Sequence, residues 1–152
     1  MNLRVDHIGI AVEDLAAASA RFARLLRREP SPVEEVPSEG VRLCFFDLGS
    51  CRLELLEPTT PSSPIRKFLE RGKKGVHHIS LALEGDSIDA LFSELVAGGV
   101  PVLGEKPKAG SGGSRIFFVH PDAAAGVLME FAQSAEAKHG EAPGDSQASE
   151  GR

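Results

Sequence analysis

From Val5 to Val12 the chain reads VDHIGIAV, an alternation of apolar and polar or small positions rich in β-branched residues, which predicts a strand. Asp14 then stands as an N-cap before DLAAASARFARLL, where apolar residues recur at helical spacing without Gly or Pro. A Pro-rich loop (EPSPVEEVPSEG) leads to two strands, VRLCFFDL and CRLELLE, joined by Gly49-Ser50. Ser63 and Pro64 suit the cap and first turn of a short helix, IRKFLER, that Gly72 ends. The pattern then restarts. VHHISLAL is a strand, Asp86 or Ser87 caps the helix SIDALFSELVA, and Gly98-Gly99 closes it. A short strand at Val100 to Leu103, a Gly-rich loop (KAGSGGS), the strand RIFFVH, a turn from Pro121 to Gly126 and the strand VLMEFAQ complete the second half.

Strand, helix and two or three strands are thus written twice, the signature of an internal duplication. The expectation is an α+β fold of two tandem βαβββ modules whose mixed sheet cups a central metal site. One domain spans 1–133, with module 1 at about 1–60, a linker helix at about 63–72 and module 2 at about 75–133. Residues 134–152 contain no Val, Ile, Leu, Met or Phe. They bury too little apolar surface to offset ordering entropy and are expected to be disordered.

The polar interruptions carry the chemistry. In the first strand Ile8, Ile10 and Val12 share one face, and His7, Gly9 and Ala11 the other. In its twin, Ile79, Leu81 and Leu83 oppose His78, Ser80 and Ala82. The aliphatic faces suit helix packing, while the small-residue faces leave room for a ligand beside one imidazole each. Glu54 lies between Leu53 and Leu55, and Glu130 between Met129 and Phe131, so each carboxylate points away from the greasy face of its strand. A carboxylate so placed is costly unless a cation, proton or donor compensates it. His7 and Glu54 are 47 residues apart and His78 and Glu130 are 52 apart, a difference the longer Gly-rich loop absorbs. A pseudo-twofold axis would bring these four together as an N2O2 set for one divalent ion, cobalt first, with zinc, nickel, manganese or magnesium also admissible. By the same alternation His77 falls opposite His78 and reads as structural. His120, before Pro121, and Arg115, beside the Gly-rich loop, are candidate substrate contacts together with Ser80.

Composition narrows the class. A net charge of −5 argues against a nucleic-acid partner. The opening residues enter a strand pattern rather than a leader, and no apolar run approaches bilayer length, so a cytoplasmic location away from membranes is expected. Cys44 would lie opposite Leu55 across the hairpin, which excludes a bridge to Cys51.

The segments VDHIGIAVEDL, GVRLCFFDLGSCRLELLEP, SSPIRKFLE, GVHHISLAL and GSRIFFVHPDAAAGVLMEF resemble the vicinal-oxygen-chelate superfamily, and within it the methylmalonyl-CoA epimerases. The resemblance covers the chain up to about Gln133 and implies metal ligation by His7, Glu54, His78 and Glu130. It also implies an acyl-CoA substrate, a homodimer, and epimerisation by α-proton abstraction. For that reaction Glu130 is the first candidate proton carrier, since a ligand carboxylate can loosen as substrate coordinates, and its symmetry mate Glu54 is the second, with a metal-bound water as the alternative. Two positions depart from it. A carboxylate proposed as a base in some members is Leu43 here, and a Lys after the His-Pro pair is Asp122. Lactoylglutathione lyase is a related alternative, against which SPIRKFLE and the HP…GVLMEF ending stand. A metal-free binding or resistance module of the superfamily is another, against which the complete ligand set stands. Arg66, Lys67, Arg71, Lys73 and Lys74, with Lys106, Lys108 and Arg115, are cations available to CoA phosphates.

Overall fold

A computed structural model describes residues 1–134. The expected disorder beyond Gln133 falls almost wholly outside the described residues. The elements are β1 (Asn2–Ala11), α1 (Leu15–Leu26), β2 (Glu34–Val36), β3 (Val41–Asp47), β4 (Arg52–Pro58), α2 (Pro64–Glu70), β5 (Gly75–Glu84), α3 (Ile88–Ala97), β6 (Val102–Ala109), β7 (Arg115–Val119) and β8 (Leu128–Gln133). Single 3-10 turns sit at Ser111–Gly113 and Pro121–Ala123.

The strands form one mixed sheet in the order β2-β3-β4-β1-β5-β8-β7-β6. In the first half β2, β3 and β4 are antiparallel neighbours and β1 joins β4 in parallel. The second half repeats this with β6, β7, β8 and β5. The halves meet along an antiparallel β1–β5 seam, so the four central strands are the opening and closing strands of the two modules.

Local chemistry sets the helices. The Asp14 carboxylate accepts the Ala17 N–H at 2.9 Å, satisfying an orphan donor of the first turn of α1. Phe22, Ala18 and Leu26 of α1 then pack with Leu15 on Cys44, Phe46 and Leu55. Ser87 caps α3, whose Ile88, Leu91 and Phe92 cover Leu83, Phe117 and Val119. These two layers occupy the aliphatic faces of the strands, as the alternation requires. A third cluster lies on the other face of the first half, where Ile65 of α2 meets Ala11, Val41, Leu43 and Leu56.

Three local features differ from the sequence reading. The Pro-rich loop contains β2, a three-residue edge strand paired with β3 through Glu34↔Leu43 and Val36↔Val41. Strand β6 runs to Ala109, but its ladder with β7 is interrupted between Leu103 and Lys108. The β1–β5 seam carries two irregularities, since Val5 and His7 pair with the consecutive Leu81 and Ser80, while Gly9 and Ile10 pair with His78 and Val76. Asp6 and His77 are therefore extra residues in the ladder, each immediately before an imidazole of interest. Cys44 pairs across the hairpin with Leu55, and both cysteines are free.

Candidate functional site

The register of the four central strands assembles the site. Gly9 is level with Glu54, His7 with Ser80, Gly9 with His78, and Ser80 with Glu130. The non-aliphatic faces of β4, β1, β5 and β8 thus present His7, Glu54, His78 and Glu130 to one point, all buried. The Nε2 atoms of His7 and His78 are 3.1 Å apart. Glu54 Oε2 lies 3.3 Å from His7 Nε2 and 3.5 Å from His78 Nε2. Glu130 lies 3.7 Å from the first and 4.0 Å from the second. One donor atom each from His7, Glu54 and His78 fits within a 4.8 Å group.

The surroundings select donor atoms. Asp6 Oδ2 meets His7 Nδ1 at 2.9 Å, leaving Nε2 to face the cluster. Arg52 hydrogen-bonds Asp6 and lies 4.2 Å over the Phe45 ring. Ser80 donates to Glu130 Oε1 at 2.7 Å. Phe45 and Phe118, cross-strand partners of Glu54 and Glu130, set their rings nearly perpendicular to His7 and His78, with centroids at 5.7 and 5.9 Å.

The titratable groups respond to this crowding. The hydrogen bond from His7, aided by Arg52, holds Asp6 well below the usual carboxylate range. Burial works against a charged His7, but Asp6 and Glu54 raise it to about 9. Burial pushes His78 well below an ordinary imidazole. It also pushes Glu130 up to about 7, against the pull of His7 and Ser80. Two carboxylates and two imidazoles packed this closely away from water need a positive charge among them, which a divalent ion supplies as well as a protonated His7 does. The donor chemistry, two nitrogens and two carboxylates, fits such an ion.

A cavity of about 1030 Å³ opens over the cluster. Its apolar walls include Leu43, Phe45, Leu56, Ile116 and Phe118, and Lys106 and Lys108 line it farther out. Two contacts cross between the halves at its rim, Lys108 Nζ to Glu39 at 2.6 Å and Gly112 N–H to Glu34 at 3.0 Å.

The structure gathers some of the sequence candidates and separates others. Ser80 lies inside the cluster. Arg115 is outside the cavity, its guanidinium taken by Asp89 of α3 at 2.5 and 2.8 Å. His120 accepts the Asp122 N–H at 3.2 Å and caps the turn after β7, also away from the cavity walls. Neither reaches the site, because β7 directs Arg115 toward α3 and the 3-10 turn occupies the His120 ring. Of the basic run in and after α2, none lines the cavity. His77 departs from its expected face: as a bulge residue it lines the cavity and its Nδ1 lies 3.0 Å from His78 Nδ1. Asp6 escaped the sequence reading for the same reason, and Arg52 escaped it because its partner Asp6 did. The available signal for Asp6 and His77 was position, since they stand at matching places in the duplication.

Comparison with known proteins bears on this geometry. Residues 6–118 match the Glyoxalase/Bleomycin resistance protein/Dioxygenase superfamily. The human mitochondrial methylmalonyl-CoA epimerase is 37% identical over 132 residues, covering 86% of this chain and 74% of the relative. The ethylmalonyl-CoA/methylmalonyl-CoA epimerase of Cereibacter sphaeroides is 38% identical over 132 residues, covering 86% and 97%. Among solved structures, a variant of the Streptomyces coelicolor methylmalonyl-CoA epimerase in complex with 2-nitronate-propionyl-CoA superposes with a TM-score of 0.80 at 38% identity, covering 90% of this chain and 98% of that one. With its duplicated sheet and buried His/Glu cluster, the chain belongs to the methylmalonyl-CoA epimerase family of the glyoxalase superfamily.

Proposed function

We propose that the chain interconverts the two epimers of methylmalonyl-CoA by removing the proton α to the thioester and returning one on the opposite face. The observation that carries this reading is the convergence of His7, Glu54, His78 and Glu130 beneath an apolar-walled cavity. Residue roles follow from that convergence. A divalent ion held by these four, cobalt in our reading, would act as a Lewis acid toward the negative charge that develops on the thioester oxygen. Glu130 is the first proton carrier, since a carboxylate that would hold the ion can loosen as substrate oxygens arrive and so be freed to act as a base. The Ser80 hydroxyl fixes one of its oxygens. Glu54, the symmetry mate, is the carrier for the other face. One carboxylate takes the α-proton while the other, protonated, delivers its own to the opposite side of the α-carbon, and exchange with water restores the pair. Leu43, Phe45, Leu56, Ile116 and Phe118 keep bulk water from the carbanion. Leu43, 2% exposed, belongs to the apolar wall, so a carboxylate at that position plays no part.

The cavity exceeds the usual upper range for small-molecule pockets, about 1,000 Å³, and accommodates an acyl thioester with part of its CoA arm. Lys106 and Lys108 are the cations best placed for that arm. We further read the protein as a cytoplasmic homodimer. Its free cysteines fit a reducing compartment, no helix among the described residues is long and apolar enough to cross a membrane, and sedimentation equilibrium tests the dimer. The decisive assay is deuterium uptake by methylmalonyl-CoA in deuterium oxide. The wild type should exchange the α-proton of both epimers, and Glu130→Gln should lose exchange of the epimer whose proton Glu130 removes. Undiminished exchange in that variant would remove Glu130 from the chemistry, and preferential turnover of the methylglyoxal–glutathione hemithioacetal would replace the epimerase reading with a lyase.

A further inference from the structure

We propose that His77 is a positioning residue whose Nδ1 accepts the Nδ1–H of His78 and thereby turns the Nε2 lone pair of His78 into the donor cluster. This rests on the metal-dependent reading above and assigns a role within it. The two Nδ1 atoms are 3.0 Å apart, so one ring donates and the other accepts. If His77 donated, the proton of His78 would sit on Nε2, the atom 3.1 Å from His7 Nε2 and 3.5 Å from Glu54, and that nitrogen would offer no lone pair to a cation. Only the opposite tautomer makes His78 a ligand.

The backbone and the linker helix prepare this contact. A regular strand would send the side chains of His77 and His78 to opposite faces. The skipped pairing between Gly9 and Ile10 makes His77 an extra residue and lets both rings address the cavity side. Phe68 of α2 meets the His77 ring edge to face at 4.9 Å and 82°, fixing its plane. The same device precedes His7, where the extra residue is Asp6, a carboxylate that accepts outright. The duplication therefore supplies each imidazole with an acceptor from the residue before it, anionic in one half and neutral in the other. A ligating His normally has such a partner, and its loss costs roughly 10–100-fold in metal affinity.

Titration of the full chain with cobalt chloride, followed by proton NMR of the cobalt form, tests the assignment. The wild type should show two exchangeable, hyperfine-shifted imidazole N–H signals, from His7 and His78. His77→Phe keeps the ring and its packing on Phe68 but removes the acceptor. It should bind cobalt roughly 10–100-fold more weakly and lose one of the two signals to rapid exchange. His77→Asn, whose Oδ1 takes the place of Nδ1, should recover both signals and most of the affinity. If His77→Phe does not fold, as judged by melting of the metal-free protein, His77→Ala against His77→Asn makes the same comparison. Unchanged affinity with both signals intact in the Phe or Ala form, or an Asn form no better than these, overturns the role of His77. A wild type that takes up no cobalt overturns that role together with the metal reading, whereas normal uptake beside an unaffected His77→Phe overturns the role alone.

Discussion

Gly9→Ala is the smallest change that should dismantle the cluster. Gly9 is level with His78 across the β1–β5 seam, and an ideal Cβ built on it would lie 2.2 Å from Cε1, 2.4 Å from Nδ1 and 2.7 Å from Nε2 of that ring. Ordinary contact begins at 3.4 Å, so the ring and the strand must separate by about 1.2 Å, the difference between 3.4 and 2.2 Å. Strand β1 is laddered to β4 on one side and β5 on the other, so the ring is the softer party. Metal–ligand distances tolerate about ±0.2 Å, far less than that displacement. A misplacement near 1 Å costs on the order of 10²-fold in rate, and cobalt affinity should fall at least as much as on loss of a supporting partner, about 10–100-fold. Overpacking should destabilise the metal-free protein by about 1–3 kcal/mol, lowering its melting temperature by roughly 2–12 °C. Chelator-competition titration with cobalt, melting of the metal-free form and α-proton exchange measure the three effects. A folded Gly9→Ala protein with wild-type cobalt affinity would refute the reasoning, because it would mean that the His78 ring does not need the space over Gly9.

Ser80→Ala removes the hydroxyl held 2.7 Å from Glu130 inside the site. It should weaken cobalt binding by about 10–100-fold and cost roughly 1–3 kcal/mol of stability through the unpaired carboxylate oxygen, both read by titration and melting. Asp14→Ala deletes the α1 cap, whose first turn loses its acceptor for Ala17 N–H. Denaturant titration should show a loss of about 0.5–2 kcal/mol, with cobalt affinity unchanged. Arg115→Ala should leave the KM for methylmalonyl-CoA where it is, since Asp89 already holds that guanidinium outside the cavity. A raised KM would return Arg115 to the substrate.

The parts of this site legible in the sequence are those governed by periodicity. Two-residue alternation assigned His7 and His78 to the faces opposite Ile8 and Ile79, and Glu54 and Glu130 to faces opposite Leu55 and Phe131, because strand geometry leaves no other arrangement. The duplication then paired them without knowledge of the turns. Asp6 and His77 were illegible because a bulge is a property of two paired strands, and alternation within one strand places such residues on the wrong face. Gly9 read only as a small residue, since its requirement comes from a ring 69 positions away. Arg115 and His120 read as candidates from proximity to a flexible loop and a turn. Asp89 and the Asp122 amide, which occupy them, are contacts that composition does not announce. Strand β2 was hidden by its flanking prolines and by having only three residues, and it exists because β3 offers it an edge.

The duplication explains how the site forms, and its small breaches explain why the four clustered side chains are not equivalent. Gly9 stands two residues after His7, and Ser80 two residues after His78, so they are twins that face the opposite imidazole across the seam. If symmetry were exact, the His7 ring would lie over Ser80 as the His78 ring lies over Gly9. A Cβ in that position would approach ring atoms to near 2.2 Å, which Ser80, having one, forbids. The His7 ring stands at 85° to that of His78, with its Nδ1 drawn toward Asp6. Ser80 instead spends its hydroxyl on Glu130, and no hydroxyl stands at the twin position beside Glu54. One carboxylate is thus tethered by a side-chain hydroxyl and the other is not, and one imidazole has an anionic acceptor while the other has a neutral one. A reaction that must work on both faces of one carbon benefits from two proton carriers with matching reach. Two substitutions on the seam suffice to give them different surroundings.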